Sequence, residues 1–165
     1  MLSDKVEAAL NEQLAKEFQS AYAYLGMSAY CESRSLSGFA QWLRIQFQEE
    51  LDHGMRFYNF IIDRGGQVRL SSIEEPSVDF SSVTQVFDTA LRQEQSVTQS
   101  IHDLYELVDN ERDYASQAWL DWFATEQVEE EKNVGQIIDS LKMTGESGEA
   151  LFMLDKELAQ RQPEE

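Results

Sequence analysis

Gln46-Phe47-Gln48-Glu49-Glu50-Leu51-Asp52-His53-Gly54-Met55-Arg56-Phe57 decides how this chain is read. Within it Gln46, Glu50, His53 and Phe57 step by fours and threes, a register that extends back through Leu43 to Phe39 and on to Ile61. Residues so spaced share one face of an α-helix, the face that packs inward in a bundle. The apolar stripe is therefore broken in mid-helix by a carboxylate and an imidazole. Three other stretches repeat the pattern. They run Leu10, Leu14, Glu17, Ala21, Tyr24, Ser28, then Val83, Phe87, Ala90, Glu94, Val97, Ile101, Leu104, Val108, and last Leu120, Phe123, Gln127, Glu130, Val134, Ile137, Leu141. A buried carboxylate without compensation costs several kcal/mol or takes up a proton. Four of them converging on one level of a core call for a multivalent cation.

Composition agrees with long helices. The 165 residues include only two prolines and eight glycines, too few for a fold built on many turns, and the length suits one domain, 1–165, with a real core. The net charge of −18 excludes nucleic acid and anionic membrane as natural partners, since a phosphate surface would be repelled. Most of the 31 acidic residues solvate helix surfaces, and that explanation fails only for those on the apolar stripes. Met1-Leu2-Ser3-Asp4-Lys5 has no basic region leading into an apolar run, and no stretch approaches the roughly 20 apolar residues of a membrane span, so a cytoplasmic protein is expected. The one cysteine, Cys31, rules out an internal disulfide framework and is expected to be buried, with a reactive thiol as the alternative.

The order of the stripes sets an all-α topology. Asp4 with Glu7 reads as a capping pair for a first helix that ends near Ser33, and Arg34-Ser35-Leu36-Ser37-Gly38 makes a short turn into the second. The second helix stops at Gly65-Gly66, and the third starts at Ser82 with Gln85 three residues on. The connection between them is long for a compact domain. At about 3.3 Å per residue it spans ~50 Å, enough to travel back along a helix of ~42 Å and start the third parallel to the second. Counting from the turns then puts Glu17, Glu50, His53, Glu94, Gln127 and Glu130 at one height. The bundle should occupy about 4–143, and Leu151, Phe152, Leu154 and Leu158 mark a short fifth helix at about 148–160.

Glu50 and His53 form Glu-x-x-His, one turn apart on one helix face. Alone the motif is weak; three similarly broken stripes give it weight. Di-iron bundle proteins carry a Glu from each of two helices and a Glu-x-x-His from each of the other two, and this chain fits three of the four places. In the fourth, Gln127 and Glu130 stand where a second Glu-x-x-His would be. Oxygen-rich ligands with one imidazole suit iron or manganese, and open positions would admit oxygen or peroxide. One metal is assigned to Glu17, Glu50 and His53, and a second, held less tightly, to Glu50, Glu94 and Glu130, with Glu50 bridging. Gln127 is either a neutral ligand or a donor to one.

These motifs resemble the bacterial-type non-haem ferritins. The resemblance runs from Leu10-Asn11-Glu12-Gln13 through Gln48-Glu49-Glu50-Leu51-Asp52-His53 and Glu126-Gln127-Val128-Glu129-Glu130-Glu131-Lys132 to Asp155-Lys156-Glu157-Leu158. It implies a ferritin-like four-helix bundle with a long crossover between helices 2 and 3 and a short C-terminal fifth helix. It also implies a homo-oligomeric twenty-four-subunit cage, a ferroxidase centre in each bundle, and iron stored as a ferric mineral. Positions matching Glu17, Glu50, His53, Glu94, Gln127 and Glu130 surround that centre in the family. The family's third iron site maps to Glu49, Glu126, Glu129 and Glu130, although a glutamate run on a helix is otherwise a solvated surface. The resemblance also makes Tyr24 a tyrosine that supplies an electron, and Trp122 either an assistant or an ordinary core aromatic. His102 lies off its stripe and carries no functional weight.

Haem-binding bacterioferritins share the bundle and the first four ligands. Here the second Glu-x-x-His is absent and Asp52 precedes His53 where a haem-ligating methionine would stand, so no haem is expected. The function expected is oxidation of Fe(II) by O2 or H2O2 and storage of the product. Two alternatives are a di-iron oxygenase or peroxidase with a fixed cofactor and a non-enzymatic helical interaction module, which has no reason to break every stripe with a carboxylate.

Overall fold

A computed structural model describes residues 2–146 and 148–163, leaving Met1, Ser147 and the last two residues of the polar tail outside the description. Five helices follow in order, α1 (Asp4–Ser33), α2 (Ser37–Asp63), α3 (Val83–Asn110), α4 (Tyr114–Thr144) and α5 (Gly148–Leu158), with no strand among the described residues. The start of α1 differs from the expected capping pair. Ser3 has extended backbone and its hydroxyl accepts from the Val6 N–H, so it is the cap, and Asp4 and Glu7 sit inside the first turn. There their charge complements the helix N-terminus. Ser82 caps α3 by accepting from the Gln85 N–H, and Asp113 caps α4 by accepting from the Ser116 N–H.

The crossover, residues 64–82, is extended chain laid along α1. Asn11 donates to the Gln67 carbonyl at 3.0 Å and accepts from the Arg69 N–H at 2.6 Å. Two turns on, Gln19 accepts from the Glu74 N–H at 2.7 Å and donates to the Glu74 carbonyl at 3.2 Å. Beyond that, Gly26 leaves room for the crossover, since a Cβ there would lie 2.5 Å from the Ser77 carbonyl oxygen. Phe80 then packs edge-on against Tyr30 at 5.4 Å. Side-chain amides on α1 thus replace the ladder partners that an irregular segment lacks. The path returns the chain to the end where α2 began, and α3 descends parallel to α2.

α2 has no cap of its own. Its first N–H groups are satisfied by Asp155 of α5, whose Oδ1 accepts from Gly38 at 2.8 Å and from Phe39 at 3.1 Å. The approach is close enough that a Cβ on Gly38 would fall 1.6 Å from the Asp155 carbonyl oxygen. At the far end, Arg64 after α2 donates to Ser116 Oγ and Asp113 Oδ1 at 2.8 and 2.9 Å, tying α2 to the start of α4.

Every residue of the four stripes is buried. They form two apolar clusters rather than one. The first, beside α5, holds Tyr24, Phe39, Trp42, Leu43, Phe87, Ala90, Val134 and their neighbours. The second holds Leu10, Leu14, Phe57, Ile61, Val97, Ile101, Leu120 and Phe123. The stripe positions between them are the polar ones, so the bundle has a buried polar layer at mid-height.

Candidate metal centre

That layer contains Glu17 from α1, Glu50 and His53 from α2, Glu94 from α3, and Gln127 and Glu130 from α4, all buried. The counting that predicted one height for all four helices is thereby met. Each side chain is delivered by a helix interior, where rotamers are restricted and the backbone is rigid.

On the α1 and α2 side, Glu17, Glu50 and His53 each present one ligand atom within 4.8 Å of the other two. His53 Nδ1 lies 3.7 Å from a Glu50 oxygen. Glu17 accepts one hydrogen bond, from Gln13 Nε2 at 2.8 Å. Its other oxygen, and both oxygens of Glu50, are buried with no donor among the described residues. Glu17 and Glu50 approach closely enough to share a proton, which is the way to satisfy them without a cation. Buried polar groups are almost always partnered, so three orphaned carboxylate oxygens beside an imidazole fit a cation site.

On the α3 and α4 side the carboxylates are held by donors. Glu94 accepts from the Tyr24 hydroxyl on one oxygen and from Gln127 Nε2, at 3.3 Å, on the other. Gln127 also donates to the Glu94 carbonyl and to Thr98 Oγ1 at 3.3 Å, so of its two expected roles the amide takes that of donor to a ligand. Glu130 accepts from Gln46 Nε2 at 2.7 Å. The expected second triplet of Glu50, Glu94 and Glu130 is not the tightest grouping here. The second close set is His53, Glu126 and Glu130, with His53 Nε2 3.9 Å from Glu126. Glu94 is turned towards Tyr24 and Gln127, and Glu126 leans in from one turn before Glu130.

The electrostatics follow from burial. Desolvation raises Glu17, and it raises Glu50 well above the usual carboxylate range, with the charges of Glu94, Glu17 and Glu130 adding to the rise. Burial pushes Glu94 up to about 7 and Glu130 up to about 8, against the donors that lower each. Burial drives His53 down to about 4, which keeps the imidazole neutral and its nitrogens available as ligands. Burial likewise raises Tyr24 well above the usual phenol range, reinforced by Glu94, so its proton stays on. Burial thus favours the protonated form of all four carboxylates, and a cation that binds them has to displace those protons.

The remaining sequence candidates are spread wider. Glu126 is half-buried and joins His53 and Glu130. Glu49, beside the layer, accepts from Arg161 at 2.7 Å. Glu129 is exposed, as is His102. Trp122 is half-buried, with its ring edge-on to His53 at 5.4 Å and the Arg56 guanidinium 3.8 Å over its face. Cys31 is buried, and desolvation pushes its thiol up to about 12, which agrees with a structural rather than reactive cysteine. Gln13, Gln46 and Thr98 were not singled out from sequence, although each contacts a ligand candidate or Gln127. Gln13 sits one turn before the Glu17 it serves, a spacing legible in the sequence, whereas Gln46 and Thr98 act on side chains of another helix and leave no such signal.

The same bundle recurs in known proteins. Residues 7–144 match the ferritin-like domain. A bacterial non-heme ferritin of Staphylococcus epidermidis is 44% identical over 161 residues, covering 98% of this chain and 97% of the relative. One from Staphylococcus aureus is 40% identical over the same length. Among solved structures, the open-pore ferritin of the hyperthermophilic archaeon Archaeoglobus fulgidus superposes with a TM-score of 0.96 at 43% identity, covering 98% of both chains. A form of that ferritin engineered to be closed superposes with the same score at 42% identity. With a five-helix fold, a carboxylate and imidazole layer and full-length relatives all in agreement, this chain belongs to the ferritin family.

Proposed function

We propose that the protein stores and detoxifies iron: it takes up Fe(II), oxidises it at the mid-bundle centre, and passes Fe(III) to a ferric mineral inside a cage of twenty-four identical subunits. The observation that carries this reading is the set of orphaned oxygens on Glu17 and Glu50 beside the neutral His53 imidazole. Iron is substrate and cargo here. Glu17, Glu50 and His53 would receive one ion, and Glu130 with Glu126, assisted by Glu94, a second. Two Fe(II) release two electrons, which with two protons reduce O2 to H2O2, or H2O2 to two waters. Carboxylates favour the higher charge of the product, and they become available only by shedding the protons that burial holds on them. When a third Fe(II) adds an electron and Tyr24 a fourth, O2 goes with four protons to two waters, and the hydrogen bond to Glu94 would let the Tyr24 proton pass to that carboxylate. Glu49, Glu126, Glu129 and Glu130 would serve as an outer collecting position. The same reading treats residues 1–165 as one domain of a cytoplasmic protein without haem. Among the described residues no helix is long and apolar enough to cross a membrane.

Fe(II) added aerobically to the metal-free protein tests this. Rapid oxidation with hundreds of irons or more retained per assembly is the expected result. Retention of about two irons per subunit without mineral would instead indicate an enzyme with a fixed cofactor, and no binding an interaction module. Glu50→Ala and His53→Ala should each slow oxidation by about 100-fold or more without preventing assembly. Unchanged rates in both would remove the centre from the place assigned to it.

A further inference from the structure

α5 does more than cover one end of the bundle. Asp155 anchors it to the N-terminus of α2, and the turn that follows is held by Ala159, Gln160 and Arg161 N–H groups donating to the Asp155, Glu157 and Leu158 carbonyls at 3.0–3.2 Å. This turn carries Arg161 back over α2. Its guanidinium lies 4.5 Å from the Trp42 ring and donates from Nη2 to Glu49 Oε2 at 2.7 Å. Trp42 and Glu49 are two turns apart on one face of α2, so the arginine spans them as a strap. Both charged side chains are mostly shielded, at 17% and 16% exposure, which makes the pair stronger than a surface one. Nη1 is buried and has no acceptor among the described residues. The guanidinium therefore sits on the rim of the carboxylate layer with one nitrogen unpaired among the described residues. Its charge also reaches Glu130, acting against the burial that raises that group.

From this geometry we propose that Arg161 is a tethered competitor for metal, a cation of the chain itself that occupies Glu49 and the field of Glu130 until an incoming divalent ion displaces it. The proposal rests on the metal centre described above and adds to it a device that weakens the outer position, built from Glu130, Glu126 and Glu49, relative to the inner one of Glu17, Glu50 and His53. A weak outer position suits cargo that must leave. Displacement would also free the strap from Trp42, so that loading of the rim loosens the turn after α5. A sequence reading stops short of this, because Arg161 and Glu49 are 112 residues apart.

Calorimetric titration of the metal-free, full-length protein with Zn(II), which cannot be oxidised, provides the test. In Arg161→Gln the equivalents that follow the tightest one should bind about tenfold more strongly than in wild type, with the first unchanged. Arg161→Lys keeps the charge and should stay within about threefold of wild type. In a Glu49→Gln background the Arg161→Gln change should give a smaller gain, since the pair is already broken and only the field at Glu130 is left to relieve. An Arg161→Gln protein whose later equivalents bind as in wild type or more weakly would overturn the proposal, as would an Arg161→Lys protein that gains as much as the glutamine variant. In either case an intact first equivalent would leave the metal centre standing. Absence of any tight equivalent in wild type would remove the centre and the competitor together.

Discussion

The two halves of the polar layer contain the same kind of side chain in opposite states. On the α1 and α2 half, Glu17 keeps one oxygen without a donor and Glu50 keeps both. On the α3 and α4 half, Glu94 is hydrogen-bonded by Tyr24 and Gln127, and Glu130 by Gln46. Without a cation the first half has only a shared proton to satisfy it, whereas the carboxylates of the second are held by neutral donors. The difference teaches that burial alone does not make a metal site. What matters is whether the fold leaves lone pairs with nowhere else to go, because an orphaned carboxylate gains more from an ion than one that must first give up a good donor. On the proposed function, the α1 and α2 half would be the tight position and the α3 and α4 half the exchangeable one.

The most direct way to break this contrast is to neutralise a member of each half. Glu50→Gln replaces a carboxyl that burial and the neighbouring carboxylates force to take up a proton, so urea unfolding of the metal-free protein at neutral pH should show a gain of about 1–3 kcal/mol. Tyr24→Phe removes a donor from the satisfied half, and the same measurement should show a loss of about 1–2 kcal/mol. Equal signs for the two variants would mean that the halves do not differ as described.

A smaller effect comes from pH. Glu94 and Glu130, at about 7 and about 8, hold protons in the fold that the unfolded chain releases near 4.5, so they stabilise fully below that value and less as pH rises. His53, lowered to about 4, works in the opposite sense between about 4 and its usual 6.5, where the unfolded chain binds the proton that the fold refuses. Above 6.5 only the carboxylates act. Unfolding free energy of the metal-free protein should therefore fall by about 1–2 kcal/mol from pH 6.5 to 8, and saturating Zn(II) should abolish the fall. A profile that is flat in both conditions would show that the α3 and α4 carboxylates are not proton-loaded in the fold.

What could be read in advance depended on how local the cause was. The 3.6-residue period puts Glu17, Glu50, Glu94 and Glu130 on stripes with apolar neighbours three and four positions away, so their burial and common depth were legible from spacing and turn positions. The Ser82 end was likewise set by a short side chain acting three residues along, whereas the Asp113 cap was not read from the sequence. The first cap was misplaced by one residue because Ser3 and Asp4 are both good capping residues, and only backbone direction chooses between them.

Tertiary structure decided who touches whom. Tyr24 reaches Glu94 across 70 positions, Gln46 reaches Glu130 across 84, and Asp155 caps α2 across 117. Each of these contacts depends on how two helices are rotated and offset against each other, and no periodicity within one segment contains that information. By itself the sequence determined which groups enter the dry layer. Only the packed bundle decided which of them find a hydrogen-bond donor there and which are left for a cation, because a partner for a buried oxygen has to arrive from another helix.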